Sequence, residues 1–325
     1  MMPGDCKEPP DGEDVVTATL KDKVAIVTGS GRGVGRGIAM LMAQEGAKVV
    51  VNDLGAAMDG SGSDTSVAER TAQEIRTQGG QAVHNCDSVA SYQGAASLVK
   101  TALDAFGRLD ILINNAGILR DRMFFNMSEE EWDAVIAVHL KGNFGCSRAA
   151  VAAFQAQKSG GRIINMTSTA GLYGNTGQAN YCSAKDGIAG FTRALASELK
   201  PQGITVNAIA PTGRTRLTDT ITSAVTAVKA AAGIDRAAEQ AKKVIPEAED
   251  VAPFAIYLCS DAGASITGQV FHVSGGTVTL LKQPEAICSI WRKDGWTSER
   301  IAAAFPRTLG MGMVNPAPAQ PPRPA

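Results

Sequence analysis

The chain has 325 residues, of which 44% are hydrophobic, 19% charged and 5% aromatic. Its 31 basic and 32 acidic residues leave a formal net charge of -1, so there is no electrostatic footprint for nucleic acid, and no run of eighteen apolar residues is available to span a membrane. Glycine is in excess, at 35 of 325 residues against a usual share of about 7%. It lacks the three-residue period of collagen, and the apolar content is too high for a disordered chain. The length allows two small domains or one large α/β domain.

Residues 1–20 are polar and acidic, with three prolines, and read as a flexible arm without the basic start and apolar core of a secretory signal. From Lys23 a regular alternation begins. Val24–Thr28 is short and β-branched, as expected of a buried parallel strand. Glycines follow, then an apolar-rich helix over Val34–Glu45, stopped by Gly46, and a second strand over Ala47–Asp53. Leu54–Asp64 holds Gly55, Gly60 and Gly62 and reads as a loop before a helix near Thr65–Thr77.

Later strands are expected at Gln81–Cys86, Ile111–Asn114, Arg162–Thr167, Ile204–Ile209 and Val270–Val273. Helices fit between them at 91–106, 128–157, 181–200 and 247–259, and Ser128 with Glu131 forms a capping box. This alternation predicts a doubly wound α/β fold, a parallel sheet with helices on both faces, in one domain over 21–279. Residues 217–246 are read as a helical flap over the site. After Thr279 the pattern changes, and 280–325 is an extension ending in a proline-rich tail.

The first strand and first helix are joined by Thr28-Gly29-Ser30-Gly31-Arg32-Gly33-Val34-Gly35-Arg36-Gly37. No Lys-Ser/Thr follows, so this is not a Walker loop, and the strict G-x-G-x-x-G spacing is absent too. The pattern that fits is T-G-x-x-x-G-x-G, with glycines that let the backbone approach a pyrophosphate at a helix N-terminus. The alternative is a glycine-rich turn that binds nothing. Asp53 ends the second strand, where a carboxylate can take both ribose hydroxyls of NAD and repel the extra phosphate of NADP. It could also simply cap a turn. Arg32 and Arg36 count the other way, since either could reach a 2′-phosphate, but NAD is favoured.

Tyr181 and Lys185 are four residues apart on a predicted helix, so phenol and ammonium share one face. A free tyrosine has a pKa of about 10, too high for acid/base work at neutral pH. An adjacent Lys⁺ and a positive nicotinamide ring would both favour phenolate. Alone, this spacing fits any amphipathic helix with a surface lysine. Ser168, however, stands 13 residues before Tyr181, and Asn114-Asn115-Ala116-Gly117 ends the fourth strand.

With these motifs in this order, residues 20–279 resemble the short-chain dehydrogenase/reductase family. The resemblance implies that Tyr181 is the general acid/base, that Lys185 binds the nicotinamide ribose and lowers the Tyr181 pKa, and that Ser168 holds the substrate oxygen. It further implies cofactor contacts at Gly29, Arg32, Gly33, Val34 and Gly35, and at Asp53, Asp87, Ser88, Asn115, Ala116, Gly117, Pro211 and Gly213. One departure is Val138-His139-Leu140-Lys141-Gly142, where many members carry a catalytic asparagine in the place of His139. Either His139, or a backbone carbonyl beside it, orders water next to Lys185, or it makes only local hydrogen bonds.

The stretches 51–55, 115–122, 138–142 and 173–181 resemble more narrowly the (3R)-hydroxyacyl-CoA dehydrogenase units of peroxisomal multifunctional enzymes. That implies hydride transfer between NAD and a secondary alcohol or ketone on a bulky hydroxyacyl-CoA or steroid-like substrate. It also implies a homo-oligomer, a dimer or tetramer. The alternatives are an NADPH-dependent 3-oxoacyl reductase and a NAD(H)-binding module without turnover.

Other features carry less. Three histidines and six scattered cysteines show no metal-ligand spacing, so no metal is expected, and the cysteines read as reduced thiols of a cytoplasmic protein. No G-x-S-x-G elbow is present. Met123, Phe124 and Phe125 are expected in the core rather than in a substrate pocket. Arg214, Thr215 and Arg216 could meet a CoA phosphate or be solvated.

Overall fold

The structure, a computed structural model, describes residues 19–213 and 246–313. Most of the acidic arm, Arg214 to Arg216, nearly all of the expected flap and the proline-rich tail lie outside the described residues. The chain divides into two compact units, with the boundary after Leu281.

In the first unit eight strands form one sheet in the order β3-β2-β1-β4-β5-β6-β7-β8. They are β1 Val24–Thr28, β2 Lys48–Asn52, β3 Gln81–Asn85, β4 Ile111–Asn114, β5 Gly161–Met166, β6 Ile204–Thr212, β7 Val270–Ser274 and β8 Thr277–Leu280. All neighbours run parallel except β7 and β8. Strand order reverses between β1 and β4, which opens a crevice at their carboxyl ends, the usual ligand position in such sheets.

Among the described residues the α-helices of this unit are α1 Gly33–Gln44, α2 Ser66–Thr77, α3 Tyr92–Phe106, α4 Glu129–Ile136, α5 Gly142–Gln157, α6 Thr169–Tyr173, α7 Ala179–Leu199 and α8 Ala252–Cys259. Every residue of β1 and β4 is buried, as strands covered on both faces require. Alternate residues serve opposite faces. Ala25 and Val27 pack with Ile38 and Met42 of α1 and Ile256 of α8, whereas Val24 and Ile26 pack with Leu98 of α3 and Phe154 of α5. Truncating one such side chain to alanine typically costs about 2–5 kcal/mol. The second unit contains α9, Ser298–Ala304.

Several features differ from the sequence expectation: α6 is not among the expected helices, and β6 runs three residues past Ile209. The helix expected over 128–157 is interrupted by a π-helical turn at Ala137–Lys141, between α4 and α5. The Ser128–Glu131 capping box does start α4. The sheet also gains β8, because Gly275-Gly276 form a two-residue hairpin between Ser274 and Thr277, with Gly275 at φ +56°.

Candidate active site

Thr28 closes β1 and the chain turns through the glycines into α1. Gly29 and Gly33 have φ of +63° and +53°, a region that favours glycine. A Cβ on Gly35 would lie 2.4 Å from both Asn115 Nδ2 and the Gly29 carbonyl oxygen, so only a bare backbone fits there. Asn115 fastens this loop to the end of β4. Its Nδ2 donates to the carbonyls of Thr28 and Gly29 at 2.9 and 3.0 Å, and its backbone N–H donates to Thr28 Oγ1 at 2.9 Å. At the start of α1, Arg32 offers no side-chain cap and the first turn holds no acidic residue. The first N–H groups of α1 therefore suit a phosphate, and this cradle fits a dinucleotide pyrophosphate.

Asp53 stands just beyond β2 with both oxygens fixed. Gly31 N–H donates to Oδ2 at 2.9 Å and Gly55 N–H to Oδ1 at 2.7 Å. Arg36 pairs with Glu74 at 2.5 Å and does not line the cleft, whereas Arg32 does. Beyond β3, Asn85 Nδ2 holds the Asp87 carboxylate at 3.0 Å, and Asn52 Nδ2 holds the Asp87 carbonyl at 2.9 Å. The loop after β2 folds back over this end, with Leu119 N–H donating to Met58 O at 2.9 Å and Arg120 Nε to Asp59 O at 2.8 Å.

The catalytic candidates come from β5 and α7. Lys185, 4% exposed, donates from Nζ to the Met166 carbonyl at 2.6 Å, and Thr167 Oγ1 donates to the Lys185 carbonyl at 2.6 Å. Ser168 lies at the start of α6, where its Oγ accepts the Ala170 N–H at 3.2 Å, and it lines the cleft together with Tyr181. Burial pushes the Tyr181 phenol up to about 12, against a smaller influence of the Ser168 side chain, which favours the phenolate. Burial also pulls the Lys185 ammonium down to about 7. Burial outweighs any lowering of the phenol by Lys185 in the protein alone. Lys185 Nζ sits 5.6 Å from the Tyr181 ring centroid and is engaged by a carbonyl, and desolvation dominates both groups.

His139 lies on the π-turn, 1% exposed. Its Nε2 is 2.8 Å from the Ile118 carbonyl oxygen and 3.1 Å from the Ile118 backbone nitrogen, while Nδ1 has no partner among the described residues. Burial, and then the Lys185 charge, take the imidazole down to about 3, so it is neutral.

These residues meet in one cleft of about 660 Å³. Ser168, Tyr181, Lys185 and His139 line it, together with the glycine loop from Gly29 to Gly35 including Arg32, Gly33 and Val34. So do Asp53, Asp87, Ser88, Asn115, Ala116, Gly117, Pro211 and Gly213. Met123, Phe124 and Phe125 do not; they are exposed at 37%, 73% and 77%, which corrects the expectation that they pack in the core. Cys182 is half-buried. The spacing of motifs gave no notice of Gln178 and Asn180, buried at the start of α7, or of Arg120 at the cleft wall. Among the described residues no group of three His, Cys, Asp or Glu could hold a metal ion, and no helix is long and apolar enough to cross a membrane.

The comparisons agree with this geometry. A profile described as short chain dehydrogenase matches residues 23–229. A hydroxyacyl-CoA dehydrogenase of Mycobacterium tuberculosis is 40% identical, over 82% of this chain and 82% of its own. A 3-oxoacyl-[acyl-carrier-protein] reductase of Synechocystis sp. is 42% identical, over 80% of this chain and 98% of its own. Peroxisomal multifunctional enzyme type 2 of Mus musculus is 41% identical over 83% of this chain, which spans 34% of the length of that protein. The crystal structure of a short chain dehydrogenase from Mycobacterium avium superposes with a TM-score of 0.76 at 40% identity, covering 90% of this chain and 96% of that one. With the strand order, the glycine cradle and the Ser168–Tyr181–Lys185 cluster in place, the chain belongs to the short chain dehydrogenase family of oxidoreductases, which work on CH–OH groups with a nicotinamide cofactor.

Proposed function

We propose that this protein transfers hydride between NAD and the secondary alcohol or ketone of a bulky hydroxyacyl or oxoacyl thioester, an acyl-CoA in the first instance. The observation that carries this reading is the convergence of Ser168, Tyr181 and Lys185 with the glycine cradle and Asp53 in one cleft of about 660 Å³. The thioester class is supported by two relatives whose names specify hydroxyacyl-CoA and 3-oxoacyl-[acyl-carrier-protein] substrates.

The first turn of α1 would hold the pyrophosphate and Asp53 the adenosine ribose, with Asp87 and Ser88 at the adenine edge. Lys185 would hold the nicotinamide ribose, beside Pro211 and Gly213. The bound dinucleotide supplies the hydride acceptor or donor and, when oxidised, a positive ring. Ser168 orients the substrate oxygen. In reduction, the Tyr181 hydroxyl gives its proton to that oxygen, a role suited to a phenol that burial keeps protonated. In oxidation the proton travels the other way, and phenolate forms only where positive charge offsets the burial. The cradle contributes position rather than chemistry.

The reading includes a single cofactor-and-catalysis domain over 21–279 and a homo-oligomer, a dimer or tetramer. It also includes a cytoplasmic setting, supported by the five described cysteines, all unpaired. Light scattering and cell fractionation test these last two.

The main test compares acetoacetyl-CoA reduction with NADH and with NADPH, beside a ketosteroid panel. The expected result is turnover of the thioester with a higher kcat/KM for NADH. It should be abolished in Tyr181→Phe while NADH still binds. Preference for NADPH overturns the Asp53 argument, and full turnover by Tyr181→Phe overturns the mechanism.

A further inference from the structure

Tyr181 is the third residue of α7, so the position of its phenol depends on what fixes the start of that helix. Gln178 precedes the helix without making a side-chain cap, and no acidic residue lies in the first turn. Asn180 is fully buried there. Its Nδ2 donates to the Arg120 carbonyl at 3.0 Å and to the Glu131 carbonyl at 3.1 Å. Its Oδ1 accepts the backbone N–H of Tyr181 itself at 2.8 Å. One amide thus ties the loop after β4, the first turn of α4 and the backbone of the acid/base residue to one another.

The neighbouring contacts make that loop a firm anchor. Arg122 N–H donates to the Gly177 carbonyl at 2.8 Å, and Gln178 Nε2 donates to Asp121 Oδ2 at 2.8 Å. Arg122 is paired with Glu131 at 2.7 Å, and Glu131 belongs to the cap of α4. Residues 120–122 therefore hold 177, 178 and 180 in turn, and the last of these adjoins Tyr181. Asn180 does not line the cleft. Its effect on chemistry has to pass through Tyr181. Nor is its type chosen for the helix, since asparagine is a poor helix former and a buried amide is costly unless its hydrogen bonds are made.

We propose that Asn180 is a positioning residue for proton transfer, clamping the start of α7 to the 120–122 loop and α4 so that the Tyr181 phenol stays in register with Ser168. This rests on the assignment of Tyr181 as the proton-transfer group. Releasing the clamp lets the first turn of α7 shift, and a misplacement of ~1 Å at a reacting group is worth on the order of 100-fold in rate.

The test uses the full chain with NADH and acetoacetyl-CoA, and compares Asn180→Ala and Asn180→Asp with wild type and Tyr181→Phe. The rate is expressed per NADH-binding site, so misfolded protein does not count. Asn180→Ala is expected to lower kcat on the order of 100-fold, with the NADH dissociation constant unchanged and the pH profile displaced. Asn180→Asp keeps an acceptor for the Tyr181 N–H but loses both donors, and is expected to fall between. A kcat per site equal to wild type in either soluble variant overturns the proposal, whatever its Tm. Should wild type not reduce acetoacetyl-CoA, the thioester reading fails separately. Phenol ionisation, read as ultraviolet difference absorbance between each protein and its Tyr181→Phe counterpart, then decides: a displaced titration supports the clamp and an undisplaced one overturns it.

Discussion

The imidazole of His139 stands edge-on to the phenol of Tyr181, with ring centroids 5.2 Å apart and planes at 89°. The π-turn brings the ring there, and Gly117 leaves it room, since a Cβ on Gly117 would lie 2.4 Å from His139 Cε1. With Nε2 taken by the Ile118 backbone, the imidazole serves as a wall for the phenol and a tie to the chain after β4.

The burial of His139 makes the protein sensitive to acid. The unfolded chain protonates this imidazole below its ordinary 6.5, whereas the folded one resists until about 3. The unfolded state therefore binds more protons across that window, and stability is lost as pH falls through it. At pH 4.5 the loss is about 3 kcal/mol. Urea unfolding at pH 7 and pH 4.5 is expected to show this loss in wild type and a smaller one in His139→Asn. Equal losses in the two proteins contradict it.

Lys185 acts on the alkaline side. Its ammonium falls to about 7 in the folded protein from an ordinary 10.5, so the unfolded state binds more protons between these values. Stability contributed by this group accordingly rises with pH there, by at most about 1.4 kcal/mol per unit. Wild type is expected to gain on Lys185→Met between pH 7 and pH 9.5 in denaturant midpoints. Lys185→Met should also lose turnover.

Asp53→Asn keeps the shape of the side chain and removes its charge. With both carboxylate oxygens accepting backbone N–H groups, the loop should hold its course through the remaining acceptor. The ratio of kcat/KM for NADH over NADPH is expected to fall about tenfold, equivalent to ~1.4 kcal/mol. An unchanged ratio assigns cofactor choice to another residue, Arg32 first.

Gly35→Ala places a methyl group against the Gly29 carbonyl and Asn115 Nδ2. Backbone must give way, at about 1–3 kcal/mol for overpacking. A lower Tm together with weaker NADH binding by fluorescence titration is expected. Unaltered affinity would show that α1 does not receive the pyrophosphate.

Sequence alone determined what depends on local spacing. Strand and helix alternation, the glycine cradle, Asp53 after β2 and the i, i+4 placement of Tyr181 and Lys185 follow from periodicity and backbone freedom within a few residues. The hairpin to β8 is of the same local kind, marked by Gly275-Gly276 between apolar runs. Tertiary structure decided what depends on partners far along the chain. Asn180 meets carbonyls 60 and 49 residues away, and His139 meets a backbone 21 residues away. The exposure of Phe124 and the state of Tyr181 and Lys185 are of the same kind, because burial is a property of the assembled chain. Spacing places a phenol and an ammonium on one face of a helix; only the packed sheet and loops around them set how far water, and hence charge, is excluded.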